Sequence, residues 1–558
     1  MYSADFETTT DENDCRVWAW GAMNVDNFDF SFGNNIVDFL DFAFENGGQF
    51  VFHNLAFDGS FIISELFRVG YQHTTNRPQS MEFSTLISKQ GKFYRIEICR
   101  KKGTKRNRSE AFVCVDSLKM FPFSVAEIAQ AFNLETQKGE IDYNEYREIG
   151  HNLTQLELDY LYRDCRIIAE ALKIRNEEGL TKLTIGSDAM NGYVETITKR
   201  KYAKIFPIMN PAMDNELRKA YKGGYVYVSE KHKATKRKDV IVADGSVYDV
   251  NSLYPYVMYT KNLPYGKPLY YRGEYVQDND MPIYICQLRL YAKLKKGKHF
   301  PTLQIKNSPY YIGTEYIKNT YDYVDLTLTN IDYELMLDNY DVDVVKYYGG
   351  YKFTATVGLF EDYISYWSKI KETSKGGRRV IAKLFLNSLY GKFGTNPDVT
   401  GKEPYYEDEI FKLRLGEKSI RDTVYVPMAA FITSYAREHT IRTAMSVYDR
   451  FLYCDTDSLH LLGTEPPNID IHPFRMGAWK HEGNFTRARY IRAKSYIEEM
   501  DSGTNIVMAG CPKSLHQHIN FENCKQGLVL GSDVDGAKLR PKRVKGGVVL
   551  VPTSFQIL

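Results

Sequence analysis

The sequence predicts a multidomain α/β protein, on three observations. Its 558 residues exceed what one hydrophobic core usually organises, so about two to four domains are expected at roughly 100–200 residues each. Hydrophobic residues make up 43% and charged residues 25%, a globular composition that excludes a disordered chain. Short β-rich runs also alternate with amphipathic helical stretches in the N-terminal third.

Taken in order, residues 1–185 read as one α/β unit, with strands at Gln49–Phe52 and Phe112–Val115 and an amphipathic helix over Thr154–Glu178. Residues 261–354 and 393–423, rich in Tyr, Gly, Pro and Asn, read as insertions between better-defined elements. Residues 355–392 read as two helices broken at Ser374-Lys375-Gly376-Gly377. Arg450-Phe451-Leu452 and Leu459-His460-Leu461-Leu462 flank an acidic tip and read as a β-hairpin.

The eight cysteines are scattered, with no Cys-x-x-Cys pair and no histidine cluster to complete a zinc site, which fits reduced thiols. No basic, apolar leader and no apolar run of ~18 residues is present, so a cytoplasmic location without a membrane segment is expected. Net charge is only +2, so contact with a polyanion has to rely on local basic runs: Arg100–Arg106, Lys231–Lys238 and Lys293–Lys298. The 43 tyrosines offer stacking surfaces for bases.

Carboxylates carry the chemical signal. Asp5 and Glu7 are two apart in the first strand, and the strand period of two puts both on one face. Asp58 follows His53-Asn54-Leu55-Ala56-Phe57, and Tyr160 and Asp164 share a helix face at i,i+4 spacing. Four such acids suit two divalent cations acting on a phosphodiester, with Tyr160 orienting the attacking water. A second set lies downstream: Asp249 after a strand-like run, and Asp455 and Asp457 at the hairpin tip. Buried together, these like charges call for bound Mg²⁺. Each short motif has a plain alternative, since Asp-x-Glu is often solvated and Asp-Thr-Asp is often a turn. Between the sets, Arg379, Lys383, Asn387 and Tyr390 share one helical face that suits a triphosphate and a base, or else forms a solvated basic stripe.

Taken together, Asp249-x-x-Ser252-Leu253-Tyr254-Pro255, then Lys383-x₆-Tyr390-Gly391, then Tyr453-x-Asp455-Thr456-Asp457, all after the exonuclease-like acids, resemble the motif series of family B DNA polymerases. Tyr221-Lys222-Gly223-Gly224, Lys494-Ser495-Tyr496 and the two insertions resemble the protein-primed subgroup of phages with linear genomes. The resemblance runs to about residue 500 and resumes at Gly546, with 501–545 matching poorly and seeming shortened.

That resemblance implies a DEDDy, ribonuclease-H-like exonuclease domain (1–185) and a right-hand polymerase. Its parts would be palm (186–260 and 424–514), fingers (355–392), thumb (515–558) and two terminal-protein regions (261–354 and 393–423). It implies metal binding by Asp249, the Val250 carbonyl, Asp455 and Asp457, with Lys371, Lys383, Tyr254 and Tyr390 at the incoming nucleotide. Tyr254 would exclude a 2′-hydroxyl by shape. In the exonuclease it implies Asp5, Glu7, Asp58 and Asp164 as metal ligands and Lys138 and Tyr160 as catalytic groups. Glu140 stands where the family has aspartate, as an auxiliary metal contact. Contacts to DNA are implied for His53, Asn54, Phe61, Ser117, Leu118, Phe123, Tyr221, Gly223, Gly224, Arg379, Lys494 and Tyr496. The expected cofactor is Mg²⁺, two per site, with Mn²⁺ able to substitute. The expected partners are primer–template DNA, dNTPs and a terminal protein in a heterodimer, the chain being otherwise monomeric in the host cytoplasm. An RNA-synthesising polymerase or reverse transcriptase is opposed by Tyr254 and the exonuclease set, and a non-catalytic DNA-binding scaffold by the presence of every expected acid.

Overall fold

In the computed structural model, residues 1–557 are described apart from 104–108, 144, 307 and 314, so part of the basic run Arg100–Arg106 lies outside the described residues. The N-terminal unit is built on an eight-stranded sheet. Its centre is Tyr2–Thr8, antiparallel to Val17–Asn24 and parallel to Gly48–Phe52, which in turn runs parallel to Glu110–Asp116. Helix Gln155–Glu177 lies against the first two of these strands. It starts in a capping box in which Thr154 and Glu157 satisfy each other's backbone N–H groups. Its buried positions Leu161, Cys165, Ile168 and Leu172 recur every three or four residues, so one face covers the sheet.

A second, seven-stranded sheet follows, in the order Gly503–Met508, Ser495–Met500, Trp479–Arg492, Val242–Val250, Ser458–Leu462, Phe451–Asp455, Val226–Val228. The largest core joins this sheet to the helices Ile185–Ile197, Leu253–Thr260, Glu361–Thr373, Gly376–Phe393 and Val426–Ser446. The expected helical pair is present and its break is Ser374-Lys375. At Gly376 the backbone is left-handed (φ 54°), and an added Cβ would stand 2.7 Å from the Phe132 carbonyl, so the turn abuts the N-terminal unit.

The insertions differ from expectation in their regularity. Residues 261–354 form a four-stranded sheet with one strand, Tyr340–Thr356, of 17 residues, so the boundary drawn at 354 falls inside a strand. That strand alternates exposure over much of its length, and its Gly349-Gly350 pair lies against neighbouring backbone, which hid it as loop-like sequence. The second insertion is a hairpin, Lys402–Glu407 with Ile410–Leu415, whose Phe411 enters the N-terminal core. Phe393, taken as its first residue, instead ends a helix in the main core.

The C-terminal segment, which seemed shortened, carries its own small core and a hairpin, Lys538–Val544 with Gly547–Thr553. Val544, Val548 and Val549 pack into the N-terminal unit, and an added Cβ at Gly547 would stand 2.4 Å from the Phe61 ring. Among the described residues, no helix is long and apolar enough to cross a membrane.

Because a side chain at position 547 has no room, Gly547→Val is expected to undock this hairpin and lower the melting temperature, overpacking typically costing about 1–3 kcal/mol. Proteolytic nicking within 538–553 should accelerate in the variant.

Candidate active sites

Two acid sets occupy the two large sheets. In the first, Asp5 and Glu7 share a face of Tyr2–Thr8, Asp58 lies in the first turn of helix Leu55–Arg68, and Asp164 sits one turn beyond Tyr160. Burial, then Asp164, pushes Asp5 up to about 7, against an opposing Lys138. Burial and then the Asp5 charge hold both Glu7 and Asp58 well above the usual carboxylate range. Asp164 is also raised, because burial outweighs its ion pair with Lys138.

Lys138 donates to Asp164 and, at 2.9 Å, to the Tyr160 hydroxyl. That hydroxyl also bonds Tyr143, a group the sequence reading passed over because a tyrosine in a polar loop carries no periodic signal. Glu140 is exposed and has no hydrogen-bond or ion-pair partner among the described residues, which places it apart from the set.

His53 bonds Ser117 Oγ (2.9 Å) and the Phe123 carbonyl (2.8 Å), while Ser117 is buried and donates to the Phe52 carbonyl. Asn54 is exposed in a left-handed conformation (φ 76°), its N–H held by Asp116. Leu118 and Phe123 are half-buried beside it. Phe61 is instead only 1% exposed, under the C-terminal hairpin. An apolar residue in a helix reads alike whether it faces core or ligand, so its burial was not visible in the sequence.

The second set sits at one end of the seven-stranded sheet. Asp249 and Asp455 both lie opposite Ser458, on the strands either side of it, and Asp457 stands in the two-residue loop between. The loop is tied on several sides. The Val250 N–H donates to the Asp457 carbonyl (2.7 Å), the Thr456 N–H to Tyr225 (2.7 Å), and Thr440 Oγ1 to the Thr456 carbonyl. Thr456 is left-handed (φ 59°), costly for a β-branched residue. Gly224 lies against it, and an added Cβ there would stand 2.2 Å from Thr456 Oγ1. Burial, then Asp457, pushes Asp249 up to about 7; burial raises Asp457 as well.

Cations and rings converge on these acids. Lys494, left-handed at φ 56°, pairs with Asp455. Lys383 and Lys480 both oppose the rise at Asp249. Lys371 Nζ donates to Ser252 Oγ at 3.0 Å, and burial, then Lys383, lowers its pKa. The Tyr254 and Tyr390 rings stack with centroids 4.0 Å apart and planes at 21°. Arg379 is exposed on the helix face of Lys383, and donates to the Lys371 carbonyl.

Tyr221 packs against Gly394, and Arg437 fastens its linker by donating to the Lys222 and Gly223 carbonyls (3.0 and 2.7 Å). Tyr496 is 8% exposed, inside a ring cluster behind Asp455. Two basic runs meet, since Lys231 and Lys298 line a polar cavity of about 230 Å³ with Lys318 and His299.

No group of three His, Cys, Asp or Glu side chains among the described residues is arranged as a ready metal cage. The donor chemistry nevertheless suits a hard divalent cation: the first set buries four carboxylates against one lysine, and Asp58 Oδ1 and Asp164 Oδ1 are buried without a hydrogen-bond partner.

Two sheets, each bearing an acid set, with a helical pair and a long buried helix packed on the second, make this a multidomain α/β chain. Residues 43–475 match the model of the type B DNA polymerases of organelles and viruses. The DNA polymerase of Bacillus phage phi29 is 43% identical over 583 aligned positions, covering 100% of this chain and 99% of that one. That of Streptococcus phage Cp-1 is 32% identical, covering 100% and 98%. The structure of the phi29 enzyme complexed with primer-template DNA and incoming nucleotide substrates superimposes with a TM-score of 0.94 at 42% identity, over 100% of both chains. The chain belongs to the type B DNA polymerase family, organellar and viral, and is a DNA-directed DNA polymerase.

Asp5 and Asp249, raised from an ordinary 3.8 to about 7, keep protons in the folded state that the unfolded chain has released. The stability each contributes is therefore present at low pH and is lost as pH rises between about 4 and 7. In chelator, the melting temperature of the wild type should fall over that window more steeply than that of Asp5→Asn or Asp249→Asn. Equal slopes would refute the raised values.

Proposed function

We propose that this chain replicates a linear viral genome, extending a protein primer and proofreading its own product with a 3′→5′ exonuclease. The observation that carries this reading is the presence of two carboxylate sets on separate sheets of one chain, the first largely buried and the second half-buried, each with a lysine and tyrosines placed against it.

At the polymerase site, Asp249, Asp455, Asp457 and the Val250 carbonyl would hold Mg²⁺ or, in its place, Mn²⁺, which would supply Lewis acidity toward the primer 3′-hydroxyl and countercharge for the departing pyrophosphate. Lys371 and Lys383 receive the triphosphate as compact charges, with Arg379 beside them. The stacked Tyr254 and Tyr390 make a flat wall: Tyr254 leaves no space for a 2′-hydroxyl, and Tyr390 packs against the nascent pair. Lys494 holds the primer strand, with Tyr496 supporting it from the ring cluster behind Asp455, and Tyr221, Gly223 and Gly224 guide the template.

At the exonuclease site, Asp5, Glu7, Asp58 and Asp164 hold the metals. Tyr160, fixed by Lys138 and Tyr143, orients the attacking water. Lys138 steadies the scissile phosphate. His53, Asn54, Leu118 and Phe123 receive the unpaired primer end, and Ser117 acts from behind by holding His53. Phe61 contributes packing there. The insertions 261–354 and 393–423 dock the terminal protein, giving a heterodimer in the host cytoplasm, and the hairpin 402–415 narrows the path of the downstream template.

With a labelled primer–template and Mg²⁺, Asp457→Ala should lose extension by several orders of magnitude yet still shorten the primer, while Asp5→Ala with Glu7→Ala should do the reverse. Both activities persisting in both variants would show that the acids are misassigned. Replacing residues 397–421, between the core positions Phe393 and Thr423, by a short linker should spare extension on single-stranded template and abolish synthesis through duplex. Retained displacement would sink the role given to the hairpin.

A further inference from the structure

Behind the polymerase acids lies a buried carboxylate that the reaction does not use. Glu498, 0% exposed, accepts three hydrogen bonds: from His460 Nδ1 (2.6 Å), from the Tyr490 hydroxyl (2.7 Å) and from Asn505 Nδ2 (3.0 Å). Burial opposes its charge, and the His460, Tyr490 and Asn505 contacts nevertheless hold its pKa below the ordinary value.

The strands of Glu498 and His460 are not neighbours, because Trp479–Arg492 and Val242–Val250 intervene in the sheet. The bond therefore crosses the interior of a curled sheet, tying the strand that follows Asp457 to the strand that follows Lys494. An ionised carboxylate is acceptor-only, so it obliges His460 and Tyr490 to donate and fixes both rings.

Those rings enclose a third. Tyr453 packs edge-on against His460 (centroids 5.1 Å, 75°) and lies 5.7 Å from Tyr490 and 5.0 Å from Tyr496. Its hydroxyl is the link to the site, donating to Asp455 Oδ2 at 3.2 Å and accepting the Lys494 N–H at 3.1 Å. Lys494 is strained at that point (φ 56°), so its backbone depends on such restraints.

We infer that Glu498 is a positioning residue for DNA synthesis, setting Asp455 and Lys494 relative to each other through His460 and Tyr453. This rests on the reading of Asp455 as a metal-binding acid and Lys494 as a primer contact.

The test uses the full chain and titrates Mg²⁺ in primer extension, with hydrolysis of a single-stranded oligonucleotide and the melting temperature as internal controls. Glu498→Leu removes the acceptor. It should lower the extension rate and raise the Mg²⁺ concentration for half-maximal rate by about 10- to 100-fold, the usual effect of losing an outer-shell partner, while oligonucleotide hydrolysis stays at the wild-type rate. Glu498→Gln, which keeps shape and an acceptor oxygen, should recover most of the loss. Should Glu498→Leu lose both activities, His460→Phe decides, since it keeps a ring beside Tyr453 and leaves Glu498 bonded to Tyr490 and Asn505. A raised Mg²⁺ requirement in that variant supports the inference. A wild-type requirement, or loss of both activities there too, overturns it in favour of a role in folding alone. Asp455→Ala runs in parallel: if it extends DNA normally, the assignment of Asp455 fails first, whereas its inactivity beside a wild-type-like Glu498→Leu refutes only the positioning role.

Discussion

Like charges held close in dry surroundings repel, and much of this molecule is arranged to hold two sets of carboxylates against that repulsion. Burial makes Asp5, Glu7, Asp58 and Asp249 expensive to ionise, and a neighbouring acid adds to the cost of each, which is why Asp5 and Asp249 rise to about 7. Strands, helices and one tightly bonded hairpin tip enforce the arrangement. Asp5 and Glu7 lie on a strand paired on both sides, and Asp249 and Asp455 on strands flanking Ser458. Part of the countercharge is built in, as Lys138 pairs with Asp164 and Lys494 with Asp455. Neither lysine matches the full charge of its set.

The same constraint accounts for part of the backbone strain. Asn54, Ser252, Thr456 and Lys494 are non-glycine residues at positive φ, and each stands beside one of the two sets. Such conformations persist only where surrounding bonds over-determine them. Thr456 shows how: the Tyr225 carbonyl, the Thr440 hydroxyl and the backbone of Gly224 all meet it, so the hairpin tip cannot relax without moving three other elements. Strain here is a consequence of fixing acids at a tip where neighbouring strands alone would leave them loose.

What the sequence disclosed follows from which signals are local. The period of two in Asp5-Phe6-Glu7, the i,i+4 spacing of Tyr160 and Asp164, and the hairpin around Asp455 were legible, because strand and helix geometry convert spacing directly into facing. The helical pair, with its break at Ser374-Lys375, was legible from its turn residues. Contacts made across the chain were not. Tyr143 reaches Tyr160 from a loop, Gly224 owes its identity to Thr456 more than 200 residues away, and Phe61 and Tyr496 are buried by elements remote in sequence. The long strand Tyr340–Thr356 was hidden for a related reason: its partners, not its own composition, make it a strand.

The two sites are also joined mechanically. Contacts at several places bind the N-terminal unit to the rest, among them Gly376 against the Phe132 carbonyl, Gly547 against Phe61, and Phe411 of the hairpin within the N-terminal core. The linker between the sites is held from within the polymerase core, since Arg437 bonds the carbonyls of Lys222 and Gly223 while pairing with buried Asp332 of the first insertion. Burial lowers Lys222 to about 8 in this group. Asp332 accepts from two of the Arg437 nitrogens and the linker carbonyls from the third, so linker, insertion and the helix behind the hairpin tip are committed to one arrangement. Through Asp332 and Arg437 the first insertion and the linker are thus joined by one buried set of bonds.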